Sequence, residues 1–270
     1  MKTITVINAK GGCGKSTIAM SLAAGLSIKG SRVLLMDLDP QAQITQWLAA
    51  GDGLRAEGTL VSALTSQQSL TDIIQPTGYA NISFVASAAG LEDLGREISH
   101  TEGYPVMLTE LLAGEHIADR FDFLVIDSPN QISPIMENAI FPADAFIIPF
   151  ESTKAVKSYA SIYQLLLNLR PGADFQLIHV LINLTRLPGL RRRVLSLMKE
   201  DHILPAQSEI RSCGWLAQVD EYGGSIFHFR PHSNGARDMK ALVHEVTTLF
   251  ANGPQEAHPE TPRASPPNLL

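Results

Sequence analysis

Residues 9–17, AKGGCGKST, gather two lysines, three glycines and two adjacent hydroxyls into nine positions. Without Cβ atoms, glycines let successive backbone N–H groups turn toward one point, and a chain of phosphates needs that donor arrangement. On this reading Gly11, Gly12, Cys13 and Gly14 supply the main-chain cradle, and Lys15 reaches the β and γ phosphates as a point charge. The Ser16 hydroxyl completes the coordination of a magnesium ion, and Thr17 donates to the α phosphate. An apolar run at residues 4–8 precedes the segment and reads as a strand. A helix is expected to start at Lys15 or Ser16 and to end at Gly30, so its positive dipole end adds to the site.

The segment departs from the usual GxxxxGK[ST] phosphate loop at its first position, Ala9. It also fails as a dinucleotide fingerprint, because Thr17 stands where the third glycine belongs. What it has instead is a second lysine, Lys10, directly before the glycine pair. A chance glycine-rich turn would not bring strand, loop, lysine, hydroxyl and helix into this order.

Two further apolar runs stop at carboxylates. Residues 33–36 end at Asp37, with Asp39 two positions on in DLDPQ, and residues 123–126 end at Asp127. Residues two apart on an extended segment project to one side, so Asp37 and Asp39 can face one crevice. Ligands of open α/β sheets sit outside the carboxyl ends of the strands, which places all three carboxylates beside the glycine loop. Asp127 is expected to hold Mg²⁺ through a water, since Mg²⁺ keeps most of its hydration. Asp39 is the candidate for orienting and partly deprotonating an attacking water, and Asp37 for fixing Lys15 or the metal's hydration shell. The competing explanation for Asp37 and Asp39 is that they cap the turn that follows.

These elements must be positioned by a scaffold. The 270 residues are 45% apolar, enough for a large core. Strands are expected at residues 4–8, 33–37, 82–86, 123–127, 145–149 and 177–183, between stretches of helical composition that include residues 152–169. Near-continuous apolar strands are buried on both faces, so the class is α/β, a doubly wound and mostly parallel sheet with helices on both faces. One domain is expected over residues 1–251, followed by a disordered tail at 252–270 in which five prolines fall within 19 residues. The net charge of −6 excludes a general polycation, and no apolar run approaches the roughly 18 residues of a membrane span. The N-terminal apolar run is too short for a secretory signal, so a cytoplasmic location is expected. Two cysteines 200 positions apart make neither a disulfide framework nor a metal clamp. His228 and His232 have the spacing of a helical metal pair, but Pro231 between them rules out a continuous helix.

With KGGCGKST, then DLDPQ, then FDFLVIDSP, the chain resembles the ParA/MinD family of deviant Walker A ATPases, and the likeness extends through PADAFIIPFESTKAV to about Val246. The resemblance implies ATP and Mg²⁺ as ligands and a homodimer closed around ATP, with Lys10 crossing to the phosphates of the other subunit. Asn183 matches the position at which relatives contact adenine, and Asn-Leu-Thr-Arg in place of NKxD favours ATP over GTP. One departure stands out: Asn130 follows Asp127-Ser128-Pro129 where the family often has a second proline.

Branches of the family differ in what they position. Membrane-bound relatives end in a basic amphipathic helix, which the proline-rich end of this chain forbids. The DNA-binding branch is expected to carry a basic surface, and residues 186–240 hold nine basic and six acidic side chains, a local +3 in a chain of −6. Arg191, Arg192, Arg193 and Arg211 are the candidates for contacting nonspecific DNA, although a triple arginine on a helix is also a common solvated face. The resemblance thus implies a nucleoid-associated ATPase of the ParA-like branch, a small-type partition protein or a carboxysome positioner of the McdA kind, stimulated by a small adaptor protein. The alternative is a metabolic or metal-cofactor-assembly ATPase of the same fold.

Overall fold

The structure is a computed structural model that describes residues 1–52, 59–88, 90–183 and 186–251. The expected disordered tail at 252–270 lies outside the described residues. Eight strands, β1 (Lys2–Val6), β2 (Val33–Asp37), β3 (Gln75–Pro76), β4 (Ile82–Val85), β5 (Phe123–Asp127), β6 (Ala145–Phe150), β7 (Gln176–Ile182) and β8 (Pro205–Ile210), form one sheet in the order β3-β4-β2-β5-β1-β6-β7-β8. Every pairing is parallel except β3 with β4.

Side-chain alternation along the strands explains the two helical layers. Val33 and Leu35 of β2 pack into the cluster that holds Ile18 and Leu22 of helix α1 (Lys15–Ile28), while Leu34 and Met36 pack into the opposite cluster with Leu108 and Ile135. Strand β5 divides in the same way, Val125 to one face and Leu124 and Ile126 to the other. A strand with both faces covered has no polar position to spare, and that is why β2 and β5 read as unbroken apolar runs.

Helix α1 is buried nearly all round, between the sheet and the C-terminal helix Asn234–Ala251. Gly25 makes this close approach possible, since a Cβ there would fall 2.4 Å from Val243 Cγ2. The helix gives way to Gly30 at φ 91, the left-handed exit expected from the sequence. The long helix after β6 runs Thr153–Leu169, with the Ser152 hydroxyl accepting from the Ala155 N–H as its N-cap.

Strand β1 lies two residues earlier than expected, because its pairing with β5 starts at Lys2 opposite Phe123. Strands β3 and β8 were not expected. β8 is an edge strand of partly polar sequence, PAQSEI, and its edge is closed by Glu245, whose carboxylate accepts from the Gln207 N–H (2.9 Å) and the Ser208 N–H (2.8 Å).

Candidate functional site

Strands β1, β2 and β5 are neighbours, so their carboxyl ends bring the glycine loop and the two carboxylate-tipped strands to one sheet edge. Gly12 and Gly14 adopt φ 71 and 83, which only glycine takes without strain. Gly11 and Gly12 are exposed, whereas Cys13 and Lys15 are buried. Gly14 stands at the N-terminus of α1. The Cys13 thiol donates to the Lys10 carbonyl at 3.1 Å, and burial pushes it above the usual thiol range; it acts as a loop strut. The Lys15 ammonium has one hydrogen bond among the described residues, a long one of 3.3 Å to the same carbonyl. A buried ammonium with two spare donors is an unmet demand for an anion.

Asp37 and Asp127 are register partners on adjacent strands, and both are fully buried. Neither oxygen of Asp127 has a hydrogen-bond partner among the described residues. Burial, then the neighbouring Asp37, raises its carboxyl well above the usual range, while the nearby Ser16 hydroxyl and Lys15 pull the other way. Two orphaned carboxylate oxygens and a neighbouring hydroxyl are hard-oxygen donors of the kind that suits Mg²⁺. Among the described residues no three His, Cys, Asp or Glu side chains form a metal cage by themselves.

Asp37 takes its partners from the turn that follows it. Its Oδ2 accepts from the Thr45 N–H (3.0 Å) and hydroxyl (2.8 Å), and its Oδ1 from the Asp39 N–H (3.1 Å). The expected contact with Lys15 is absent among the described residues, because both oxygens are used by the turn and by the first turn of α2 (Gln43–Asp52), where N–H groups lack helical partners. Burial pushes the Asp37 carboxyl up to about 7 against those hydrogen bonds. Asp39 also holds the turn, with Oδ1 accepting from the Gln41 N–H at 2.9 Å, while its carbonyl accepts from the Ser87 hydroxyl at 2.6 Å. The turn-capping explanation therefore describes both residues in part, and Asp39 keeps one oxygen without a hydrogen bond to a described residue.

Lys10 lies at the rim, its side chain 31% exposed, and its ammonium is paired with the Glu151 carboxylate just beyond β6. The second Glu151 oxygen is buried and has no hydrogen-bond partner among the described residues. Glu151, Thr45 and Ser87 were not picked out from the sequence. Glu151 obeys the same signal as Asp37 and Asp127, a carboxylate at the end of an apolar strand, whereas Thr45 and Ser87 carry none.

On the other side of the loop, a cleft of about 250 Å³ is bounded by Gly12, Thr17, Ile182, Asn183, Cys213 and Met239. Asn183 is exposed there at φ 57, its N–H held by the Ile210 carbonyl at 2.8 Å. The arginine candidates separate into two kinds. Arg191 donates to Glu209 through two nitrogens and Arg211 to Asp238 likewise, whereas Arg192 and Arg193 are exposed on helix Pro188–Glu200 with no ion pair among the described residues.

A doubly wound sheet with a glycine loop between its first strand and first helix, and carboxylates on the tips of two adjoining strands, defines the P-loop nucleotide-hydrolase class of fold. Residues 1–171 match the AAA domain family model, AAA_31. The chromosome-partitioning ATPase Soj of Thermus thermophilus is 29% identical over 255 residues, covering 91% of this chain and 95% of its own length. Among solved structures, apo McdA of Cyanothece superposes with a TM-score of 0.79 at 22% identity over 91% of this chain and 99% of that one. Cobyrinic acid a,c-diamide synthase of Mycobacterium smegmatis, with an ATP analogue and magnesium, gives 0.78 at 20% identity over 94% and 97%. The chain belongs to the AAA_31 domain family, in the ParA-like branch of the deviant Walker A ATPases.

Proposed function

We propose that this protein is an ATPase that dimerises on Mg·ATP, binds nonspecific DNA in that state and lets go after hydrolysis stimulated by a small partner protein, thereby positioning or segregating a cargo. A plasmid, a chromosome region or a protein organelle such as a carboxysome fits this scheme, and the DNA-bound state would be nucleoid-associated. One observation carries the reading: a single loop holds a buried lysine with spare donors beside an orphaned carboxylate, and a second lysine at its exposed rim.

The division of labour follows from these positions. Main-chain donors of Gly11, Gly12, Cys13 and Gly14, with Lys15 and Thr17, grip the phosphates, while the cleft beside Asn183 receives the base. Ser16 and Asp127, with Asp37 behind them, would hold Mg²⁺, which would supply neutralising charge beside the phosphates. Asp39 orients the attacking water with its spare oxygen. Lys10 leaves Glu151 for the phosphates of a facing protomer, exchanging one carboxylate for a more highly charged partner. For DNA, the exposed Arg192 and Arg193 come first, because Arg191 and Arg211 must keep or trade an intramolecular carboxylate.

The test uses Asp39→Ala, which blocks turnover. Light scattering should give a dimer in Mg·ATP and a monomer in Mg·ADP, and DNA should be retained only in the first. A monomer in saturating Mg·ATP refutes the proposal. The likeness to cobyrinic acid a,c-diamide synthase favours a second reading, a metabolic ATPase coupling hydrolysis to a small-molecule reaction. DNA retention that ignores the nucleotide, together with ATP-dependent amidation of a carboxylate substrate, would select it.

A further inference from the structure

We propose that the chain's own segment 252–270 turns back on the domain and docks Pro259, Pro262 and Arg263 in an aromatic groove beside helix Val219–Tyr222, a contact independent of the nucleotide reading above. The groove has a volume of about 280 Å³ and shares no lining residue with the cleft beside Asn183. Buried Trp47 of α2 lines it together with two ring pairs. Tyr79 meets His228 edge to face at 4.7 Å, and Tyr222 stacks on Phe229 at 5.0 Å. Tyr222 is 48% exposed. The other rings are fixed by hydrogen bonds: Trp47 Nε1 donates to Asp220 Oδ1 at 2.6 Å, and the Ser225 N–H donates to the Tyr79 hydroxyl at 3.0 Å. Asp220 and Glu221 directly precede Tyr222 and are exposed, and Glu221 has no ion pair among the described residues.

Fixed aromatic rings with carboxylates at one edge suit a proline-rich segment, because polyproline II structure is preformed and loses little entropy on docking. The chain carries such a segment: residues 252–270 hold five prolines and one Lys or Arg, Arg263. Three residues per turn put Pro259 and Pro262 on one edge, toward the rings, and Arg263 on the next, where it can meet Glu221. The reach is sufficient. Helix Asn234–Ala251 starts five residues after Phe229 and is about 27 Å long. The eight steps from Ala251 to Pro259 cover about 25 Å, enough to return along that helix. Tethering gives the segment a millimolar effective concentration, so a contact that is weak for a free peptide still closes within the chain.

The experiment titrates a synthetic peptide of residues 254–268 into the full-length chain and follows tryptophan fluorescence. Both tryptophans report on the groove, Trp47 from its lining and Trp215 from 6.3 Å beyond the Tyr222 ring. The double variant Pro259→Ala, Pro262→Ala should free the groove, so the peptide should bind it about tenfold more tightly than the wild type, whose own segment competes. Tyr222→Ala in that background should abolish peptide binding. Glu221→Arg, at an exposed residue, guards against a folding defect in Tyr222→Ala: it should weaken the peptide, and a peptide carrying Arg263→Glu should recover the loss. A peptide that binds neither chain, or binds the wild type and the proline variant equally, overturns the proposal. So does binding that survives both Tyr222→Ala and Glu221→Arg. If the wild type's disadvantage vanishes on dilution of the protein, a second copy fills the groove and the docking within one chain is refuted.

Discussion

Charge is treated in opposite ways at the tips of β2 and β5 and on the β7–β8 side of the sheet. At the first, Asp37 and Asp127 are buried side by side, Asp127 has no hydrogen-bond partner among the described residues, and Lys15 has one long bond. At the second, Arg191 is matched to Glu209, Arg211 to Asp238, and Glu245 to the backbone of β8. His179, buried in β7, is kept neutral: its Nδ1 donates to the Leu204 carbonyl at 3.0 Å while rings of Phe150 and Tyr159 pack against it. The first region carries a cost that a ligand can offset, whereas in the second each charged group just named has its partner and the one orphan, His179 Nε2, is an uncharged ring nitrogen. Function is legible in unmet demand more than in the count of charges.

Asp127→Asn should break this contrast with the largest effect. A carboxyl whose pKa is raised by folding stabilises the protein only while protonated, so its contribution is lost as pH rises through the folded value. Both carboxyls, Asp37 up to about 7 and Asp127 well above its usual range, contribute in this sense, so the nucleotide-free wild type should lose melting temperature as pH rises above the usual carboxylate range, and Asp127→Asn should lose less, ending roughly 5 °C higher at pH 9. In the same variant, the stabilisation by Mg·ATP, roughly 2.7 kcal/mol at a hundredfold excess over Kd, should disappear. A variant that melts with the wild type at pH 9 and still responds to Mg·ATP would place the unmet charge elsewhere.

His179 sharpens the same contrast with the opposite sign. Burial lowers its pKa from 6.5 to about 4, because protonation of the orphaned Nε2 would put a charge in an aromatic nest. The unfolded chain binds that proton first, so stability falls as pH drops from about 6.5 to about 4, by about 3 kcal/mol at most. His179→Phe should remove this acid slope and leave intact the loss that the buried carboxyls cause as pH rises. Urea titrations at pH 7 and pH 4.5 measure it, and an undiminished acid slope in the variant would assign the loss to other groups.

How much of this could be read in the sequence depended on the range of the interactions. Strands β2 and β5 were expected at the residues they occupy, because burial on both faces writes itself into a contiguous run. The loop was legible for the same local reason, since its lysines, glycines and hydroxyls are neighbours in the chain. Strand β8 was not, because an edge strand closed by a carboxylate 37 residues away needs no apolar pattern of its own. The partners of the site were hidden likewise: Glu151 reaches Lys10 across 141 residues, and Ser87 reaches Asp39 across 48. For Asp37 two roles were open in the sequence, one toward Lys15 or the metal's hydration shell and one as a cap of the following turn, and its bonds to Thr45 at the start of α2 appear only in the structure.

The smallest effects should come from the complete side of the molecule, and they test whether completeness there matters. Arg191→Ala and Arg192→Ala remove the same charge from adjoining positions of one helix. Exposed ion pairs contribute little to stability, so neither variant should shift the melting temperature measurably. On DNA the two should differ. Arg192 offers its guanidinium directly to a phosphate, and its loss should reduce the slope of log affinity against log salt by about one contact's worth. Arg191 must first share with Glu209, so its loss should reduce the slope less. Salt titrations of DNA retention in Mg·ATP decide the matter. Equal slopes for the two variants would mean that the Arg191–Glu209 pair opens on the DNA, and that the distinction between paired and unpaired charge holds only in the interior.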